Sequence, residues 1–185
     1  MKTFSLHRRA AGFVSALALI APGAALAQTA APTAPAAPTA VRSDAREQVP
    51  AALLGIWEAD IAASTYTSAP PRQALRIFQY SEDAKVLVTF ITVNAAGATT
   101  YGHWAAAVDG SEAMEYHSSY GATPYNTVTL KKVDERNLNL TVARNGRLDM
   151  TGSYQLSEDG KVLTYKYAYG PRETTIIYRP WVPAA

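Results

Sequence analysis

Two of the three histidines stand where they could act together. His103 precedes Trp104, and His117 follows Tyr116. If residues 98–108 and 113–118 form a hairpin over Asp109-Gly110, the two become neighbours. With Glu112 or Glu115 they would compose a two-histidine metal set or an acid–base pair. No close-spaced ligand motif supports either arrangement. A histidine on a strand is ordinarily a surface residue or a satisfied core residue. His7 lies in an apparent leader. The carboxylates fall mostly in turns, at Glu82, Asp83, Asp109, Asp134, Glu135, Glu158 and Asp159, where solvent surrounds them. Asp60 and Asp149 fall in strands, Asp149 on an outer face. There is no Gly-x-Ser-x-Gly, no His-Glu-x-x-His and no phosphate-cradling loop. The chain has no cysteine, which removes thiolate metal sites, a cysteine nucleophile, disulfides and a lipoprotein anchor. These residues point away from catalysis, and no metal or cofactor is expected.

The aromatic residues carry more information. Eleven residues are tyrosine. A phenol offers an apolar face and one hydroxyl handle, the mixture that small-molecule sites use. Tyr154, Tyr165, Tyr167 and Tyr169, with Met150 and Leu140, form one candidate wall of a cavity. Tyr101 and Trp104 extend it from the middle of the chain, near Tyr116, Tyr120 and Tyr125. Residues 117–125 read as a longer loop at the mouth. The competing reading is that the rings fill a narrow barrel. A barrel of about eight strands holds side chains or one small ligand, not both in abundance.

Strands must position these residues. From Gly55 onward the sequence alternates strand and turn. Candidate strands are 55–62, 73–80, 85–93, 98–108, 113–118, 126–132, 137–144, 147–156, 161–169 and 173–180. Turn chemistry separates them at Pro70-Pro71, Glu82-Asp83, Asn94-Ala95-Ala96-Gly97, Asp109-Gly110, Asn145-Gly146, Asp159-Gly160 and Gly170-Pro171. No useful helical periodicity follows residue 60. Short links throughout favour an up-and-down meander over the long crossovers of a Greek key. The expected fold is all-β, an antiparallel up-and-down barrel of roughly eight to ten strands.

Hairpin arithmetic assigns the faces, because cross-strand partners share one. A three-residue loop Arg144-Asn145-Gly146 with a glycine bulge pairs Val142 with Leu148, Leu140 with Met150 and Leu138 with Gly152. This makes a continuous apolar face. A two-residue Asp159-Gly160 turn then pairs Leu156 with Leu163, Tyr154 with Tyr165, Gly152 with Tyr167 and Met150 with Tyr169. Gly152 leaves space for the Tyr167 ring. Parity leaves the last strand open between Thr174, Ile176, Tyr178 and Thr175, Ile177, Arg179.

Gly55-Ile56-Trp57 at the head of this strand series resembles the Gly-x-Trp signature of the lipocalins and their calycin relatives. In that family the Trp closes one end of the barrel, and an Arg near the end of the last strand packs across it. The resemblance makes Gly55, Trp57 and Arg179 the structural closure of the barrel. Gly55-Ile56-Trp57-Glu58-Ala59-Asp60, then Ser64-x-Tyr66 and Pro70-Pro71, is similar to a group of exported bacterial lipocalin-like proteins of unassigned function. An arginine over a tryptophan face contributes roughly 0.5–2 kcal/mol and would tie first strand to last. The chain departs from the family in lacking disulfides and a helix after the barrel. Ten strand candidates leave two readings. Either two are extensions of an eight-stranded barrel, or the barrel is nearer the ten-stranded fatty-acid-binding type.

The segment before Gly55 reads as export machinery. Lys2, Arg8 and Arg9 form a positive region, an apolar run follows to Ala21, and Ala25-Leu26-Ala27 precedes Gln28 as a cleavage pattern. Residues 1–27 are expected to be a secretory signal, whether general or twin-arginine. Residues 28–50 form an Ala/Pro/Thr-rich disordered linker, and 51–185 the barrel domain. A short helical turn is expected around Pro50–Leu54. Removing Lys2, Arg8 and Arg9 leaves 14 basic residues against 15 acidic ones, a net charge of −1. That balance offers nothing to nucleic acid or an anionic membrane surface. The chain is therefore expected to be periplasmic or secreted, with no membrane anchor after cleavage and with a small, largely apolar ligand bound without catalysis. The alternative is a structural or protein-interaction domain with a filled barrel.

Overall fold

The computed structural model describes residues 49–81, 84–118 and 126–183. The expected signal, almost all of the linker, the Glu82-Asp83 turn, Tyr120 and Tyr125 lie outside them. A 3-10 turn at Ala51–Leu53 leads into ten strands. They are β1 (Gly55–Thr65), β2 (Gln73–Ser81), β3 (Lys85–Val93), β4 (Thr99–Ala106), β5 (Asp109–His117), β6 (Asn126–Lys132), β7 (Asn137–Arg144), β8 (Arg147–Leu156), β9 (Leu163–Tyr169) and β10 (Arg172–Pro180). Each pairs antiparallel with its chain neighbour, and β1 pairs with β10, closing the barrel. Among the described residues the strand count is therefore ten, and the topology is the expected meander.

Alternation sorts the core. Trp57, Phe78, Val86, Val88, Trp104, Val128, Leu130, Leu138, Leu140, Tyr154, Leu156 and Leu163 are buried inside. Consecutive hairpins alternate between the two ends of the barrel, so one end collects the loops after β1, β3, β5, β7 and β9. The other end is plugged. Val49 and Leu53 are buried there, and Trp57 Nε1 donates to the Leu53 carbonyl at 2.8 Å. Gly55 enters β1 at φ +127°, a backbone that side chains rarely adopt. This gives the Gly-x-Trp pattern its physical content: Gly55 turns the chain, and Trp57 fastens the plug.

Arg179 does not join Trp57. On β10, Thr174, Ile176 and Tyr178 face inward, which settles the parity. Arg179 therefore faces solvent, with its Nε 3.5 Å from Asp60 Oδ2. The arginine that shares the inner face with Trp57 is its cross-strand partner Arg76. The β1–β10 seam is irregular between Asp60 and Thr65. Ser64 stitches it, donating to the Asp60 carbonyl at 2.7 Å and accepting from Ile177 N–H at 3.0 Å.

The β7–β8 hairpin also differs from expectation. Asn145 and Gly146 have φ of 50° and 72°, a two-residue turn flanked by the pair Arg144–Arg147. The register then slips by one residue at Asp149, so that Val142 opposes Met150 and Leu140 opposes Gly152. The extra residue sits in the strand, not in the turn. Leu138, Leu140, Val142 and Met150 still share the inner face, while Leu148 is left 68% exposed. The β8–β9 register is the expected one: Leu156–Leu163, Tyr154–Tyr165 and Gly152–Tyr167 are partners. A Cβ on Gly152 would meet Tyr165 Cε2 and Tyr167 Cβ at 3.3 Å. The nearest neighbour, at 2.8 Å, would be the Lys166 carbonyl oxygen, so the bare position admits the β9 backbone first, with the edge of the Tyr165 ring and only Cβ of Tyr167 beside it. Carboxylates cap backbone: Asp109, at the head of β5, accepts from Ser111 N–H, and in turns Asp134 accepts from Arg136 N–H and Asp159 from Lys161 N–H.

Candidate functional site

The interior is packed in its plugged half and hollow in the other. A cavity of about 330 Å³ lies toward the end with the β1–β2 connection, which contributes Tyr66, Ser68, Ala69 and Pro71. Strand residues Arg76, Phe90, Glu115, His117, Asn126, Val142, Met150 and Tyr178 line its walls.

Four of the expected lining residues are there: Tyr165, Tyr167, Tyr169 and Met150. Tyr165 is buried, Tyr167 is half-buried and Tyr169 is exposed at the rim. Tyr154, Leu140 and Trp104 are not wall residues. They are buried in the packed half, and Tyr154 stacks under Tyr165 with ring centroids 4.6 Å apart. Tyr101 is 58% exposed on the outer face of β4, because Gly102 and Trp104 take the inner positions. The histidines do not cooperate. His103 stacks on Tyr116 outside, whereas His117 faces inward, 5.3 Å from the Phe90 ring. Adjacent strands bring them close, but opposite faces separate them, so the two-histidine metal set does not form.

Two charged residues inside the barrel were not anticipated as such. The first is Arg76. β2 alternates Ala74, Arg76, Phe78 and Tyr80 inward, and Leu75 and Ile77 take the other face. The guanidinium lies 4.9 Å from the Tyr165 ring centroid, 5.3 Å from Phe90 and 5.8 Å from Tyr154. Among the described residues no carboxylate forms an ion pair with it, and its buried Nε has no hydrogen-bond partner. Burial works against the cation, but the Tyr154, Tyr178 and Tyr165 oxygens hold its pKa above the ordinary arginine value. The group stays charged at any accessible pH.

The second is Glu115. β5 is inverted: Ala113, Glu115 and His117 face in, while Met114 and Tyr116 are exposed. Asn126, its cross-strand partner, donates from Nδ2 to Glu115 Oε2 at 2.5 Å. Asn126 is buried, and its Oδ1 has no partner. The remaining unpartnered buried side-chain atoms among the described residues are the Tyr66 and Tyr154 hydroxyls. All of these atoms belong to residues that line the cavity or touch Arg76. Burial pushes the Tyr66 phenol up, and pushes Tyr154 up to about 12. These are hydroxyl donors that keep their protons.

The arrangement can bind a small molecule. It offers a cation, tyrosine hydroxyls and apolar ring faces around a space the size of a small ligand.

No protein-family model matches the chain, and no curated protein matches it. Among solved structures it is similar to a point mutant of the fluorescent protein UnaG. Identity is 15%, the TM-score is 0.50, and the match covers 71% of this chain and 98% of the other. At that identity the likeness is one of fold, that of an antiparallel β-barrel.

Proposed function

We propose that the barrel binds a small, largely apolar molecule bearing an acidic group, without catalysis. One observation carries the reading: Arg76 stands in the lumen beside a cavity of about 330 Å³ with no carboxylate partner among the described residues. Taking a guanidinium out of water costs several kcal/mol. Ring faces return roughly 0.5–2 kcal/mol each, which does not replace a counter-ion. An anionic ligand group would supply one, and Tyr165, Tyr167, Met150 and Ile176 would take its apolar body. The likeness in fold to the fluorescent protein is consistent with a ligand-holding barrel.

Solvent extraction of natively purified protein, followed by mass spectrometry, tests this. An acidic amphiphile is expected in the extract, and acids are expected to displace a hydrophobic fluorescent probe where their methyl esters do so weakly. If nothing copurifies and no probe binds, the reading falls, and the interaction-domain reading takes its place. The proposal includes export, on the strength of residues 1–27 alone. The expected measurement is a mature N-terminus at Gln28 in protein from the periplasm or medium. A retained Met1 in that fraction would contradict it.

A further inference from the structure

The cavity has a second polar end. Glu115 and Asn126 face the same space as Arg76 but carry the opposite demand. Only an amide N–H can donate to a carboxylate, so the Nδ2–Oε2 bond fixes the Asn126 amide, with Oδ1 turned elsewhere. What remains on this pair includes one buried acceptor without a partner, Asn126 Oδ1, beside the second Glu115 oxygen and the second N–H of the same amide. Both side chains are at least nine-tenths buried, and Asn126 Oδ1 is unpartnered. A buried acceptor left unpaired is a net cost to the fold. If the pair served only to pin β5 to β6, two neutral partners would do so without that cost. Arg76 does not supply the missing donor. The two charges lie on β2 and β5, with β3 and β4 between them. They form no ion pair, although both act on the Tyr154 phenol.

We infer that the cavity recognises a bipolar ligand. Arg76 takes an acidic group, and the Glu115–Asn126 pair takes a hydroxyl or amino N–H donor farther along the same molecule. The class is an amphiphile with an acid at one position and a hydrogen-bond donor at another, such as a hydroxy acid or an amino acid with an apolar spacer. The inference rests on the binding reading above and adds the donor to it. Phe90, Met150 and Tyr165, which line the same cavity, suit an apolar spacer.

The probes are plain alkanoic acids, ω-hydroxy acids and ω-amino acids of about six to ten carbons, which a cavity of about 330 Å³ admits. Binding is read by calorimetry on the purified protein. At the best-fitting length, the hydroxy or amino acid is expected to bind about tenfold tighter than the plain acid. In Glu115→Gln that ratio is expected to fall to about threefold, Asn126 Oδ1 being the acceptor that remains. The glutamine carbonyl keeps the bond to Asn126, while its amide replaces an acceptor by a donor. Equal affinity of plain and donor-bearing acids at every length in the unaltered protein overturns the inference, whether or not the variant folds. A preference undiminished in Glu115→Gln also overturns it. Methyl esters of the same series separate the two ends. If donor-bearing esters keep their advantage while acids lose theirs over esters, the Arg76 reading fails and the donor site stands. If no probe binds, both fail.

Discussion

The Phe90 ring occupies the space that a side chain on Gly102 would need: a Cβ there would stand 2.3 Å from Phe90 Cζ. The two residues are cross-strand partners on β3 and β4. The same row of partners runs from Trp57 through Arg76, Phe90 and Gly102 to His117. A missing side chain on β4 thus lets an aromatic ring lie over the sheet, and that ring flanks the lumenal guanidinium at 5.3 Å.

Gly102→Ala should therefore act on both fold and site. Its methyl group would also approach the Tyr116 carbonyl oxygen to 2.6 Å, and backbone yields less readily than a ring. Overpacking of this kind costs about 1–3 kcal/mol. Urea unfolding is expected to show a lower midpoint with an unchanged slope. An unaltered midpoint would mean that Phe90 has another place to go.

Arg76→Met should separate binding from stability. Methionine preserves much of the length and removes a charge held among rings. Removing a buried charge without an ion-pair partner relieves a desolvation cost of several kcal/mol. The unfolding midpoint is expected to hold or rise. Affinity for an alkanoic acid is expected to drop by about ten- to a hundredfold, the worth of a charge-assisted contact. Affinity for its methyl ester should stay the same. Equal losses for acid and ester would show that Arg76 shapes the cavity instead of binding the charge.

The meander was legible because turn pairs such as Asn94–Gly97 and Asp159-Gly160 punctuate it. Faces were legible wherever one face was uniformly apolar, as from Leu138 to Val142. β2 and β5 defeated that logic. On β2, Leu75 and Ile77 are as apolar as Ala74 and Phe78, so alternation gives no direction and Arg76 stays hidden. On β5 the polar face is the inner one, and Glu115 reads as a surface acid. The signal that would have found both is the row of partners: once Phe90 opposes Gly102, Arg76 and His117 must share their face. Tyr101 was misplaced for want of the same row. At Asn145-Gly146 the apolar face was read correctly, but a bulge in the turn and a bulge in the strand bring nearly the same residues inside. The Arg179 partnership came from the family resemblance, and here Asp60 claims the side chain.

Alkaline pH should loosen the barrel through its buried phenols. Burial raises the pKa of Tyr154 to about 12, partly offset by Arg76, and raises that of Tyr165 well above the ordinary value of 10.0. The unfolded chain ionises these groups near the ordinary value. Above it, the unfolded chain holds fewer protons than the folded one, so rising pH favours unfolding. The contribution of Tyr154 is complete below about pH 10 and gone by about pH 12, a loss on the order of 2–3 kcal/mol. Part of the phenolate absorbance is expected to appear only as the β-sheet circular dichroism is lost. Complete phenolate titration of a still-folded barrel would contradict the burial.

Closure should depend on Trp57 far more than on Arg179. Trp57 Nε1 satisfies a buried carbonyl at Leu53 and holds the plug against the core. Trp57→Phe keeps a ring but removes the donor, and an orphaned buried carbonyl costs about 1–3 kcal/mol. Arg179 and Asp60 form a pair with side chains 54% and 32% exposed, at 3.5 Å. Pairs of that kind contribute about 0–1 kcal/mol, screened further by salt. Arg179→Ala is therefore expected to shift the unfolding midpoint little, and less in high salt. Trp57→Phe is expected to shift it at every salt concentration. If the two variants prove equally destabilising, the β1–β10 seam, and not the plug beneath it, holds the barrel shut.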